Sequence, residues 1–419
     1  SKATLTTGTP IVNGGSLDGY RVQGGNININ GNGLDLRTTD YAAILARAVQ
    51  VNAGIWANEL KVVTGANQID AASLAANTVP VTTTIAGTGA VPSFALDVSQ
   101  IGGMYAGKIH LIGTEDGLGV RSAGTLDATS GDLVLQNNGW LTTTGLLQAS
   151  ANLQIITQGD VGNSSKLHAG NTFSLSARNI SNTVTGEISG ANTQVNASSE
   201  LTNRGLIDGG ETQLNANIIN NTGTGRLYGS HLSIAAVNLT NDAETAAGTT
   251  SSGTIAARDR LDLGISGSLT NREHALIYSV GDIAIGGALD ANRQTTSTAQ
   301  TVNNLSATIE AGGNLTLAAT TLTNKNMHFT TDVEVKSVEP VLEYQGAGAV
   351  DRYVSSAPGV YTLTDESLYL HTPQGNYESW SAYDVTRTIS ETTIKTSDPS
   401  KILAGGRISL FGDTVLNDN

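Results

Sequence analysis

Gly186-Glu187-Ile188, Gly205-Leu206-Ile207 and Gly225-Arg226-Leu227 each place a glycine two residues ahead of an aliphatic side chain, at spacings of 19 and 20 residues. Upstream the unit stands at Gly124-Thr125-Leu126, Gly145-Leu146-Leu147 and Ser165-Lys166-Leu167, spaced 21, 20 and 21 residues apart on the way to Gly186. Downstream it returns across longer gaps at Gly253-Thr254-Ile255, Ala275-Leu276-Ile277, Ala307-Thr308-Ile309 and Ser400-Lys401-Ile402. Five to nine residues into most units comes an apolar, any, apolar triplet, as in Leu133 and Leu135, Leu153 and Ile155, Phe173 and Leu175, or Leu261 and Leu263. Alternation at period two marks a strand with one face buried. Many units close on an aliphatic residue and a polar pair ending in asparagine, such as Ile180-Ser181-Asn182, Leu201-Thr202-Asn203 and Leu239-Thr240-Asn241.

Three strands of three or four residues cannot bury a core alone, but stacking each coil on the last pairs every strand above and below. The expected fold is therefore all-β, a right-handed parallel β-helix of about 20 residues and three short strands per coil, with β-hairpin excursions. Asn182, Asn203, Asn221 and Asn241 fall at equivalent corners and are expected to form a side-chain ladder. Antiparallel hairpins with Asn-Gly turns are the competing reading of the same residues, although they do not account for a triplet repeating near 20 residues.

Composition narrows function. The 419 residues include 49 Gly, no Cys and 14% charged residues, with a net charge of −14. Disulfides and thiolate metal sites are excluded, and the negative field disfavours nucleic acid and anionic membranes as partners. No apolar run is long enough to span a bilayer as a helix, and no basic n-region followed by an apolar h-region stands at Ser1, so targeting signals are expected to have been removed or to belong to a longer chain of which this is a segment. The six histidines are isolated, without a metal-ligand pair, and no nucleophile elbow or P-loop is present. The charges at Arg258, Asp259, Arg260 and Asp262 alternate with Leu261 and Leu263 and are expected to face water. No catalytic residue, metal or cofactor is expected, and the segment is read as non-enzymatic. A β-helical polysaccharide lyase or hydrolase is the rival, and it would need paired carboxylates converging in a groove.

The period lapses in four places. Residues 71–100, with Pro80, Pro92 and a threonine run, read as an insertion or loop; residues 242–252 and 291–304 read as smaller loops. Tyr41 to Val49 fits a strand better than a short helix, because it runs directly into Val49-Gln50-Val51. Residues 325–399 hold Tyr344, Tyr353, Tyr361, Tyr369, Tyr377, Trp380 and Tyr383 in a chain with 4% aromatics. They read as an antiparallel excursion whose rings either contact a receptor or glycan or form its own small core. Asp365 and Glu366, or Glu339 and Glu343, could assist glycan binding there.

The run Asp40-Tyr41-Ala42-Ala43-Ile44-Leu45-Ala46-Arg47-Ala48-Val49-Gln50-Val51-Asn52-Ala53, followed by Leu60-Lys61-Val62-Val63-Thr64-Gly65-Ala66-Asn67, resembles the closing part of a secretion domain. The domain is that of large two-partner-secretion exoproteins of the filamentous-haemagglutinin type, including the contact-dependent growth inhibition (CdiA-like) proteins. Ile101 to Ile109 and Gly113-Thr114-Glu115 resemble the junction that follows, and the 20-residue units resemble the family's haemagglutinin repeats. The resemblance implies residues 1–70 as the C-terminal part of the secretion domain, 101–324 as repeat β-helix, 325–399 as the aromatic excursion and 400–419 as resumed β-helix. It implies a secreted filament at the bacterial outer-membrane surface, acting as a stalk for adhesion or contact-dependent toxin delivery; a glycan-binding adhesin is an alternative. No Asn-Pro-Asn motif precedes Asp40, so contact with the outer-membrane transporter is expected to fall to residues before this segment. A target-cell receptor or surface glycan is the other partner implied.

Overall fold

The computed structural model describes residues 1–76, 78–364 and 369–419. It divides into two units, Ser1–Met327 with Pro399–Asn419, and His328–Asp398.

The first unit is a parallel β-helix. On one side the Gly-x-aliphatic segments stack as a ladder: Leu126 pairs with Leu147, Leu147 with Leu167, and the series continues through Ile188, Ile207, Leu227, Ile255, Ile277 and Ile309 to Ile402. A second side runs Leu60, Ile109, Leu133, Leu153 and Phe173, then Thr193 and Thr212, then Leu232, Leu261, Ile283, Leu315 and Ile408. The third runs from Ile27 through Val49, Leu96, Val120, Leu141 and Val161 to the Leu-Thr-Asn segments and ends at Val415. At about 4.8 Å per coil this third ladder is roughly 60 Å long. Its interior is one continuous cluster, with Leu126, Leu153, Phe173 and Leu232 fully buried. Burial of each such side chain contributes about 1.5–3 kcal/mol, and only stacking provides it.

Three features differ from the sequence reading. Between Glu187 and Arg272 the three short strands of each coil fuse into continuous strands, Glu187–Asn203, Leu206–Thr222, Arg226–Ala246 and Thr254–Arg272. Their corners are register shifts, as between Asn196 and Glu200, rather than breaks in pairing, so the bend is made by a bulge. Within 71–100, Leu96–Val98 is a rung of the helix, paired with Val49–Val51 and Val120–Ser122. Within 291–304, Ala299–Leu305 is likewise a rung, while Ala288–Leu289 and Thr295–Thr296 form a small hairpin. Tyr41–Ala46 is a strand, as its continuation into Val49 indicates.

An antiparallel sheet of Thr9–Asn13, Ser16–Val22, Asn67–Asp70 and Thr82–Thr84 flanks the first coils. The one short helix among the described residues, Ala71–Ala75, is capped by Asp70, whose side chain accepts from Ser73 N. Lys61, fully buried, donates to the Ser73, Leu74 and Ala76 carbonyls at that helix's C-terminal end, where a cation meets unsatisfied acceptors.

In the second unit, Thr330–Gly346 and Trp380–Thr396 form a long antiparallel ribbon extended by Tyr353–Val354. A three-stranded antiparallel sheet of Tyr361–Leu363, Tyr369–Thr372 and Gly375–Tyr377 completes it.

Candidate functional site

The corner asparagines form a continuous hydrogen-bonded column. Asn163 Nδ2 donates to Asn182 Oδ1 at 2.8 Å, Asn182 to Asn203 at 2.8 Å, Asn203 to Asn221 at 2.8 Å and Asn221 to Asn241 at 2.8 Å. The column continues through Asn271, Asn304 and Asn324 to Asn417. Each amide also serves the turn, as when Asn203 donates to Gly205 O at 3.1 Å. The glycine that opens the next unit is there for space. A Cβ at Gly186 would lie 2.1 Å from Asn182 Oδ1, and one at Gly205 would lie 2.1 Å from Gly186 O. Asn163, Asn271, Asn304 and Asn324 belong to the same column, and the Asn that ends each third strand signals most of them.

Around the aromatic residues of the second unit the rings are largely occupied. The Arg352 guanidinium sits 3.8 Å from the Tyr383 ring centre, and the Tyr383 hydroxyl donates to Gln345 Oε1 at 3.0 Å. The Tyr377 ring covers Gly346, where a Cβ would be 2.3 Å from it. Tyr344 pairs with Tyr353 across the strands, and Trp380 is opposite Gly346. Tyr369 is opposite Leu363, beside the fully buried Leu370. Tyr361 is the exposed member, at 46%, and stacks on His371 with ring centres 4.6 Å apart. Glu339 faces Arg387 at 3.6 Å, and Glu343 is paired across the ribbon with Tyr383. Asp365 and Glu366 lie outside the described residues.

The charges at 258–262 do not all face water. Arg258 reaches Asp208 at 2.8 Å on the surface, but Asp262 is fully buried. Its carboxylate accepts from Arg260 Nε at 2.6 Å, from the Thr295 backbone N–H at 2.9 Å and hydroxyl at 3.0 Å, and bonds His231 Nε2 at 3.0 Å. Burial pushes this carboxyl up, yet the bonds from His231, Arg260 and Thr295 outweigh it and hold it well below the usual carboxylate range. His231 also meets Glu211 at 3.2 Å, and its imidazole is raised above its ordinary value, foremost by the Asp262 hydrogen bond. The alternation misled because the 286–298 hairpin folds back over this outward face. Arg293 anchors it, donating to Ser233 Oγ at 2.9 Å and Asn215 Oδ1 at 2.6 Å.

Nearer the N-terminus, separated sequence motifs converge. Arg47 is buried and holds Glu115 through two bonds of 2.7 and 3.0 Å while donating to the Thr88 and Ala90 carbonyls at 2.9 and 3.2 Å. Asn67 Nδ2 donates to Thr114 Oγ1 at 2.9 Å. His110 is buried, and desolvation and then nearby Lys61 push its imidazole below the ordinary value.

Catalytic geometry of the lyase or hydrolase kind requires convergent carboxylates. A groove of about 580 Å³ along the repeat coils is floored by Ala177, Ala197, Ala216 and Ala236 and has no carboxylate in its lining. A second, of about 390 Å³, holds Asp18 and Asp70 without a lysine or arginine, and Asp70 is engaged as the helix cap. Among the described residues no group of three His, Asp or Glu side chains is placed to hold a metal, and no helix is long and apolar enough to cross a membrane.

Residues 1–143 match the TPS secretion domain. Over 173 residues, 41% of the chain, the sequence is 47% identical to a toxin CdiA of Yersinia pestis, covering 5% of that protein. It is 47% identical over 151 residues, 36% of the chain, to the tRNA nuclease CdiA-2 of Burkholderia pseudomallei, again 5% of that protein. Similarity to a tRNA nuclease CdiA of Yersinia mollaretii runs to 33% identity over 307 residues, 71% of the chain and 9% of the relative. The chain thus spans about a twentieth of the length of the first two relatives. No solved structure matches it.

Proposed function

Because this chain is a segment of a two-partner-secretion exoprotein of the CdiA-like kind, secreted and displayed at the outer-membrane surface, we propose that its work is mechanical reach. The first coils belong to the secretion domain, through which the parent exoprotein engages its outer-membrane transporter; the repeat coils hold a distal adhesive or toxin-bearing region away from the producing cell. The observation that supports this most is the unbroken register of the third ladder from Ile27 to Val415. It turns local sequence repeats into one extended, self-supporting body. The absence of Cys suits a chain that crosses a membrane pore unfolded. The segment itself is non-catalytic on this reading, and the nuclease names of the relatives belong to those proteins.

Residues 325–399 supply a contact surface on the same reading, centred on exposed Tyr361 and its stacked partner His371, with Tyr353 and Trp380 in the same unit. Binding of the chain and of a Tyr353→Ala, Tyr361→Ala, Trp380→Ala variant to target bacterial cells tests this. Loss of binding in the variant, with its circular dichroism unchanged, is expected; equal binding removes the excursion from recognition.

A further inference from the structure

A second aromatic site lies on the β-helix itself. At the outward positions of one ladder Trp56 pairs with Tyr105, Tyr105 with Asp127, Asp127 with Gln148 and Gln148 with His168. Five side chains from five successive coils therefore stand in one line, at steps of about 4.8 Å. The two rings are nearly parallel, 15° apart, with centres separated by 6.1 Å. Each leans over the glycine two residues earlier: a Cβ at Gly54 would be 2.3 Å from the Trp56 ring, and one at Gly103 would be 2.8 Å from the Tyr105 ring. Beside Asp127, Gln148 and His168 runs a groove of about 310 Å³, with Thr129 and Ser150 also in its lining. Among the described residues, the Trp56 indole N–H, the Tyr105 hydroxyl, the Asp127 carboxylate and the Gln148 amide have no hydrogen-bond partner.

We propose that this line binds a neutral, extended polysaccharide laid along the helix axis, its sugar rings against Trp56 and Tyr105 and its hydroxyls bonded by Asp127, Gln148 and His168. Aromatic faces take the apolar C–H faces of pyranose rings while polar neighbours take the hydroxyls. One coil step is comparable to the length of one pyranose unit, so successive coils can serve successive sugars. Asp127 needs hydrogen-bond donors, which hydroxyls supply. An acidic polymer would instead meet that carboxylate and a chain of net charge −14. A peptide added as a strand has nothing to pair with here, because the backbone groups of this face are bonded coil to coil. The site stands independently of any contact made by residues 328–398.

Calorimetric titration of the full 419-residue chain with cellohexaose, chitohexaose and, as the acidic counterpart, hexagalacturonate tests the proposal. At least one neutral hexasaccharide should bind, with Kd on the order of 0.1–1 mM, and at least about tenfold more tightly than hexagalacturonate. Trp56→Ala should weaken that binding about tenfold or more, and Tyr361→Ala should leave it unchanged. If Trp56→Ala fails to fold once Gly54 is uncovered, an Asp127→Asn, Gln148→Ala variant reads the same site. Absence of binding by both neutral hexasaccharides, equal binding of hexagalacturonate, or full affinity in the folded site variants would overturn it.

Discussion

Asn203 shows how one side chain is used by three coils. Its amide donates to Asn221 Oδ1 at 2.8 Å, to Gly205 O in its own turn and to Arg226 O at 3.3 Å one coil on, while its oxygen accepts from Asn182. Replacing it by alanine leaves fully buried partners unsatisfied, so Asn203→Ala should destabilise by about 1–3 kcal/mol, read as a lower midpoint in urea unfolding. His231 behaves differently because it titrates. Its folded pKa is raised by Asp262 and Glu211, so the stability it contributes is present in full below its unfolded pKa and is lost as pH rises through the folded one. A His231→Gln variant should therefore show its largest stability deficit near pH 5.5–6, shrinking at alkaline pH, with an NMR-detected imidazole pKa in the parent above about 6.5. A deficit that grows with pH would contradict the carboxylate pairing.

At the scale of elements, the hairpin at residues 286–298 is held by side chains more than by its own two short strands. Asp262 bonds Thr295, and Arg293, itself at a φ of 62°, spans Ser233 and Asn215. Two residues per strand cannot sustain a hairpin alone. Arg293→Ala should release it, with amide exchange rising across 287–298 while the rungs at Leu261–Leu263 and Ile283–Ile285 stay protected. Unchanged exchange would show that Thr295 alone anchors it. The antiparallel ribbon of the second unit separates its faces. Glu334 with Lys336, and Glu339 with Arg387, are ion pairs, whereas Val333, Val335, Val338 and Ile394 are exposed. A bulge between Val335 and Ser337, Pro340 and the charges blunt pairing at its edges.

Stacked coils of the whole molecule obey nearest-neighbour energetics, in which each unit is replaceable if register is kept. Glu187 pairs with Leu206 and Leu206 with Arg226, so excising 206–225 brings Arg226 to Glu187 and Asn241 next to Asn203. That deletion should leave a cooperatively folded chain with a similar β-sheet circular dichroism spectrum, whereas excising 206–215 should abolish it, because it puts corner residues against strand residues. Equal tolerance of both deletions would mean that register does not govern this fold.

Most of the architecture was legible because a solenoid's stabilising contacts join equivalent positions of adjacent repeats, so they are written as periodicity. Leu126, Leu147 and Leu167, or Asn182, Asn203 and Asn221, needed no three-dimensional information to be aligned. The excursion was visible as a lapse of that period with a shift to tyrosine. Periodicity is silent wherever an insertion hides a rung, as it did for Leu96–Val98, and wherever a loop returns to a face from another coil. Only the tertiary structure could bury Asp262 beneath Thr295, join Arg47 to Glu115 across 68 residues, or lay Tyr105 beside Trp56 with a helix and two strands of the flanking sheet inserted between them. Those contacts depend on where a loop lands on a stack, and a sequence repeat specifies the stack alone.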